Sequence, residues 1–304
     1  MSTGTTNATS APDRAHRSIH DATPGSRRRQ RRSTVMTGAL AACVVAAITP
    51  LVLILWQVVA NGGGAIGWQF FTDVETSPRE AGGYLHGIVG TLYMTGIAAA
   101  LSIPVGVLAA VYLVEYGQGK RFASIVRFFT DVMTGVPSIF VGLAIYALLV
   151  VSSGAGLGFG TFVGAAALAT IMLPIVVRST EEMLSLVPVE LRNASAGLGA
   201  RQWQTTTRVV LPAALPGITT SAILAVARGA GETAPLVLTA FGARQVVTAF
   251  QGTPQADIGL LMKDGFSQPF AEGIERAWAG GLTLIAMTLV LTITARFIAS
   301  RGRV

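Results

Sequence analysis

The sequence predicts an all-α, polytopic membrane protein with six transmembrane helices. Hydrophobic residues make up 51% of the 304-residue chain, charged residues 12%, and mean hydropathy is +0.59, whereas soluble domains average about 25% charged residues. Six apolar runs, 35–59, 87–113, 129–151, 161–177, 216–241 and 277–299, suffice at about 1.5 Å per residue to cross a hydrocarbon core of about 30 Å. The 13 prolines and 35 glycines are compatible with this, because bilayer helices tolerate both where neighbouring helices satisfy the freed backbone groups.

The runs can be taken in order. Residues 1–34 are polar, lack apolar periodicity and carry Arg27, Arg28, Arg29, Arg31 and Arg32, which predicts a disordered basic tail. The polar lead is too long for a signal peptide, so 35–59 is expected to be an uncleaved span. The fourth run, 161–177, is entered through glycines at four-residue spacing, Gly156 and Gly160 before it and Gly164 within it, a pattern suited to close helix packing. The permease body is then 35–304, with 178–215 as a polar cytoplasmic loop. The lone Cys43 lies in an apolar run and is expected to be a small core residue.

Charge fixes the expected orientation. With the N-terminus inside, seventeen Lys and Arg fall on cytoplasmic segments and four outside, namely Arg79, Arg244, Lys263 and Arg276. This positive-inside bias predicts a multi-pass protein of the plasma or inner membrane with both termini cytoplasmic. The basic residues form no single face, so the net charge of +7 does not point to nucleic acid.

Enzymatic motifs are missing. Gly119-Lys120 is followed by Arg121, and position 114 is valine rather than glycine, so no phosphate-cradling loop exists and ATP hydrolysis is not expected of this chain. His16, His20 and His86 have no metal-ligand spacing, and no catalytic or metal-binding set is recognisable.

Two constellations remain. In 178–215, Val187, Leu191, Ala194 and Leu198 recur at helical spacing after Pro188, and Gly197 and Gly199 can end the helix. This describes a short surface helix with one apolar stripe. In the fifth run, Arg228 falls at the midpoint of 216–241 with Glu232 one turn later. Charges at such depth are costly and usually face a bundle interior or aqueous path. Pro235 between glycine-rich turns predicts a kink, and Ser221, Ala225, Gly229 and Thr233 form a small-residue row for helix packing.

The loop resembles the signature of the inner-membrane permeases of ABC importers: EAA, three residues, Gly, nine residues, Ile, one residue, Leu-Pro. The matching positions are Asn193, Ala194, Ser195, Gly199, Val209, Leu211 and Pro212. Asn193 replaces the usual glutamate, and Glu190 lies about one turn earlier. Three further blocks narrow the resemblance to PstA-type phosphate permeases: Gly90–Thr95 through Ile103-Pro104 to Tyr112–Tyr116, Gly135–Ile139 with Gly142-Leu143, and Ala227–Leu236. Together they cover most of 85–299.

The resemblance implies a type I ABC importer permease fold and a coupling loop, including Glu190, Leu191, Asn193, Ala194, Ser195, Gly199, Leu211 and Pro212, that docks on an ATPase. From their depth in the span, Arg228 and Glu232 are expected to line the substrate path, the alternative being a salt bridge that serves only packing. The resemblance also implies a PstC-type second permease subunit, a PstB-type ATPase dimer using ATP and Mg, a PstS-type external phosphate-binding protein, and no cofactor on this chain. Inorganic phosphate is the expected cargo and membrane lipid the surroundings. A permease for molybdate or sulfate is the alternative, and an ion-coupled secondary transporter working alone is a more distant one.

Overall fold

In the computed structural model, residues 24–77, 79–80, 82–152 and 157–301 are described, and among them regular structure is helical. Apart from a 3-10 turn at Gly63–Ala65 and a five-residue helix at Trp68–Thr72, the helices are α1 (Pro24–Gly62), α2 (Leu85–Tyr116, its last turn Tyr112–Tyr116 π-helical), α3 (Arg121–Gly135) and α4 (Ser138–Ile145, continued as a π-helix over Tyr146–Val151). They continue as α5 (Thr161–Ser185), α6 (Val189–Gly197), α7 (Gln202–Ala230), α8 (Ala234–Thr239), α9 (Ile258–Phe266) and α10 (Ala271–Arg301). The only extended pairing among the described residues is an isolated bridge between Phe241 and Gln255.

Five helices among the described residues are long and apolar enough to cross a membrane, in α1, α2, α5, α7 and α10. The run expected as a third straight span, 129–151, instead divides at Val136-Pro137, where α3 and α4 meet at 109°. Proline removes a helix donor and disfavours helical backbone in the residue before it, and Val136 is extended at ψ 128°. A sixth span exists only as this bent pair. On α3, Phe122, Ile125, Phe129 and Val132 share an exposed apolar face, the pattern of a helix lying in an interface.

Other expectations are corrected. Residues 24–34, assigned to the basic tail, are helical, because Pro24 suits a first turn and arginine and glutamine propagate helix well. Among the described residues, 24–55 of α1 form a unit of their own. Cys43 is exposed on α1 rather than in a core. The fourth span runs to Ser185, eight residues beyond the apolar run, so the polar loop shrinks to 186–201. Residues 202–215 belong to α7, which continues without interruption into the fifth apolar run. Gly156 lies outside the described residues, as do His16 and His20. Gly160 precedes α5 at φ 154°, where only glycine is comfortable.

The core beside the site is formed by Met94, Ala98, Leu168, Met172, Ala225 and Leu236 from α2, α5, α7 and α8. Small residues set the spacing. A Cβ on Gly106 would meet Val176 at 2.7 Å, and one on Gly229 would meet Met172 Sδ at 2.7 Å, so α2 and α7 both approach α5 closely. Ser221, Ala225 and Gly229 of the expected row are buried. Thr233 lies past the end of α7. On another side, buried Arg276 of α10 donates to Glu75 at 2.8 Å and to the Ser77 carbonyl at 3.1 Å, strapping residues 75–77 to α10.

Candidate functional site: a broken helix and a coupling loop

Arg228 is in the last turn of α7, not at its middle. The apolar run 216–241 is interrupted at Gly231-Glu232-Thr233, and Pro235 starts α8 instead of kinking one continuous helix. A cation in the last turn faces the negative end of the helix dipole. Arg228 Nε and Glu232 Oε1 are 3.6 Å apart, an ion pair longer than a hydrogen bond. Broken helices are tolerated at membrane depth where protein or an aqueous cavity surrounds the freed backbone.

The second break lies opposite the first. A Cβ on Gly142 would meet Pro235 Cα at 2.6 Å, so α4 rests directly on the start of α8. Between the two breaks is a cavity of about 350 Å³ that Arg228 lines together with Thr134, Val136, Ser138, Val141 and Thr170. That volume falls within the range of roughly 300–1,000 Å³ usual for small-ligand sites. No side chain caps the first turn of α4, so its amide end is open toward an anion. A guanidinium fork, hydroxyls and a helix N-terminus around one space make a donor-rich site suited to an oxyanion.

The coupling residues lie elsewhere. Val189–Gly197 is helical as the spacing predicts, with Pro188 as the residue before the first turn and Gly199 at φ 82° after it. Val187 is buried against its own bundle, while Leu191 and Leu198 are 44% and 91% exposed. Glu190, Asn193 and Ala194 are exposed too. Ser195 hydrogen-bonds Thr205 at 2.9 Å. Leu211 and Pro212 are inside α7, away from this surface helix in the chain, so the signature spans two elements.

Sequence reasoning placed Arg228 beside Glu232 but missed Thr134, Ser138 and Thr170 as its neighbours. The Gly135–Ile139 block was visible as a resemblance, yet nothing local connects it with a residue ninety positions on. Among the described residues, no group of three or more His, Cys, Asp or Glu could hold a metal.

Membrane-crossing helices, a charged helix break opening on a cavity, and a short surface helix with an apolar stripe on a polar loop together define a transmembrane permease. The model of the binding-protein-dependent transport system inner membrane component family matches residues 102–304, and the chain belongs to that family. Its relatives include the phosphate transport system permease protein PstA 1 of Mycobacterium tuberculosis, 41% identical over 286 residues, 91% of this chain and 92% of the relative. PstA of Haemophilus influenzae is 37% identical over 268 residues, 88% and 94% of the two chains. The fold is shared with a bacterial alginate ABC transporter, at TM-score 0.63 and 16% identity over 90% of this chain and 96% of the other. It is shared as well with the MetNI methionine ABC transporter, at TM-score 0.58 and 18% identity over 72% and 96%.

Proposed function

We propose that this chain is the permease subunit of an ATP-driven phosphate importer and supplies half of the path for inorganic phosphate. The observation that carries this is Arg228, presented to a cavity between two helix breaks, in a chain whose relatives are PstA phosphate permeases. Those names favour phosphate over molybdate or sulfate. Arg228 would take the oxyanion with its fork of donors, aided by Ser138, Thr170 and the α4 amide end. Glu232 would hold Arg228 when the site is empty and accept a hydrogen bond from the O–H that phosphate carries at neutral pH and sulfate does not. A fixed carboxylate also keeps anion binding weak enough for release.

In this reading the protein sits in the inner membrane with both termini cytoplasmic, as the positive-inside bias supports. A second permease subunit completes the path, and an external binding protein delivers phosphate. A partner ATPase dimer carries ATP and Mg and pushes on α6, whose exposed Leu191, Ala194 and Leu198 suit a docking surface. ATP and the loaded binding protein then bias one two-state element.

The test is ATP-dependent uptake into proteoliposomes holding the assembled importer, with phosphate, sulfate and molybdate in competition. Phosphate-selective uptake that requires the ATPase is expected. Uptake by this chain without an ATPase, or preference for sulfate or molybdate, would overturn it.

A further inference from the structure

The cytoplasmic turn of α2 ends in three carbonyls that the helix itself does not satisfy, and each is taken by a side chain from a different segment. Arg127 of α3 donates to Leu113 O at 3.0 Å, Gln118 of the following turn to Val114 O at 3.0 Å, and Gln202 at the start of α7 to Glu115 O. Terminal carbonyls normally go to water or to a local cap. Here they collect neighbouring elements.

The carboxylate of Glu115 adds a fourth tie. It is only 7% exposed, and its Oε1 accepts from Arg192 Nη2 at 2.8 Å and Nε at 3.1 Å. The same guanidinium donates to Val187 O at 2.6 Å and Leu184 O at 2.9 Å, at the end of α5. Arg192 is on α6, one residue from exposed Leu191. One side chain thus joins the surface helix to the ends of α2 and α5, while Ser195 and Thr205 join it to α7. The chain leaves α6 only toward α5 and α7, so the tie to α2 has no covalent counterpart.

We propose that Glu115 is a positioning residue for coupling: through Arg192 it makes the π-helical turn of α2 move with α6, so that displacement of the surface helix reaches α2 as well as the two helices joined to it by the chain. A part-buried charge pair suits this task, because separating its members leaves the largely enclosed Glu115 carboxylate without its countercharge and the pair therefore resists opening. The tie also acts on the element next to the substrate core, since Met94 and Ala98 of α2 belong to the cluster that includes Ala225 of α7.

The inference rests on the importer reading above. Its test uses the whole reconstituted importer and reads phosphate transported per ATP hydrolysed, a ratio that loss of folded complex alone does not move. E115Q is expected to lower that ratio about tenfold, in line with the effect of residues along a coupling route, while ATP hydrolysis without binding protein persists. A ratio within twofold of the parent would overturn the inference. As a second measurement, E115C/R192C is made with Cys43→Ala and bridged by a cleavable bifunctional thiol reagent. Bridging is expected to preserve or raise the ratio; uptake lost on bridging and regained on cleavage would overturn joint movement. A parental complex that hydrolyses ATP in response to loaded binding protein yet moves no phosphate would instead count against the functional reading itself.

Discussion

Arg228 and Glu232 face each other at 3.6 Å across the end of α7, but the arginine side chain is 62% exposed and the glutamate 17%. The carboxylate is the held partner and the guanidinium the open one. Exposed ion pairs contribute little, with a median of about 0–1 kcal/mol, so Arg228 can leave Glu232 for an anion at small cost.

Arg228→Gln should therefore leave membrane insertion and ATPase assembly unchanged and reduce phosphate uptake at least about tenfold, the scale of a lost charged hydrogen bond. Arg228→Lys should retain partial uptake, since it keeps charge without the planar fork. The check is initial uptake rate per assembled complex; a rate near the parental one for the glutamine variant would remove Arg228 from the path.

Glu232→Gln replaces the charged acceptor for a phosphate O–H by a neutral amide that also donates, and it removes the ionic competitor for Arg228. The expected result is tighter anion retention with slower turnover, together with improved competition by sulfate. Uptake of labelled phosphate in the presence of each anion measures both effects, and an unchanged selectivity would confine Glu232 to packing.

Much of this arrangement was legible because it is local. The α6 helix follows from Val187, Leu191, Ala194 and Leu198, and Arg228 stands out as a charge in an apolar run. The breaks were less so. Pro235 could either bend one helix or begin another, and the end of α7 at Ala230 with a new start at Ala234 decides for the second. Hydropathy likewise joins 129–151, because Val136-Pro137 is as apolar as its surroundings. The Glu115–Arg192 tie spans 77 positions, and no periodicity reports a pair of that kind.

Gly142 keeps the two breaks together. Its missing Cβ leaves room for the Pro235 backbone, which cannot swing aside as a flexible side chain would. Gly142→Ala should lower the thermal stability of the purified chain by about 1–3 kcal/mol, as overpacking does, and reduce uptake. A parental melting curve with normal transport would show that α4 and α8 separate without consequence.

The surface helix offers an independent test of docking. Leu198 is 91% exposed and Leu191 44%, so replacing either should not disturb the fold of this chain. Leu191→Asp with Ala194→Asp should reduce co-purification with the ATPase and uncouple hydrolysis from uptake, as Leu198→Asp should to a smaller degree. Retained co-purification and transport in the double variant would place the ATPase contact elsewhere.

Asp257 makes a prediction in pH. It is 3% exposed, it caps α9 by accepting from Gly259 N at 2.7 Å and Leu260 N at 3.3 Å, and Thr91 donates to its other oxygen at 2.7 Å. Burial pushes its carboxyl up from 3.8 to about 6, although these three hydrogen bonds favour the charged form. The folded protein then binds more protons than the unfolded chain between those values, so this group's contribution to stability falls as pH rises from about 4 through 6 and stays low above that. The loss approaches roughly 3 kcal/mol at neutral pH. In Asp257→Asn the amide oxygen can still cap α9 and the amide nitrogen can donate to Thr91, but nothing titrates. Melting temperatures of parent and variant in detergent from pH 4 to 7.5 should therefore diverge in the variant's favour as pH rises from 4 to about 6 and keep a constant difference above that. A difference independent of pH would mean that Asp257 stays charged throughout, with its capping bonds outweighing burial.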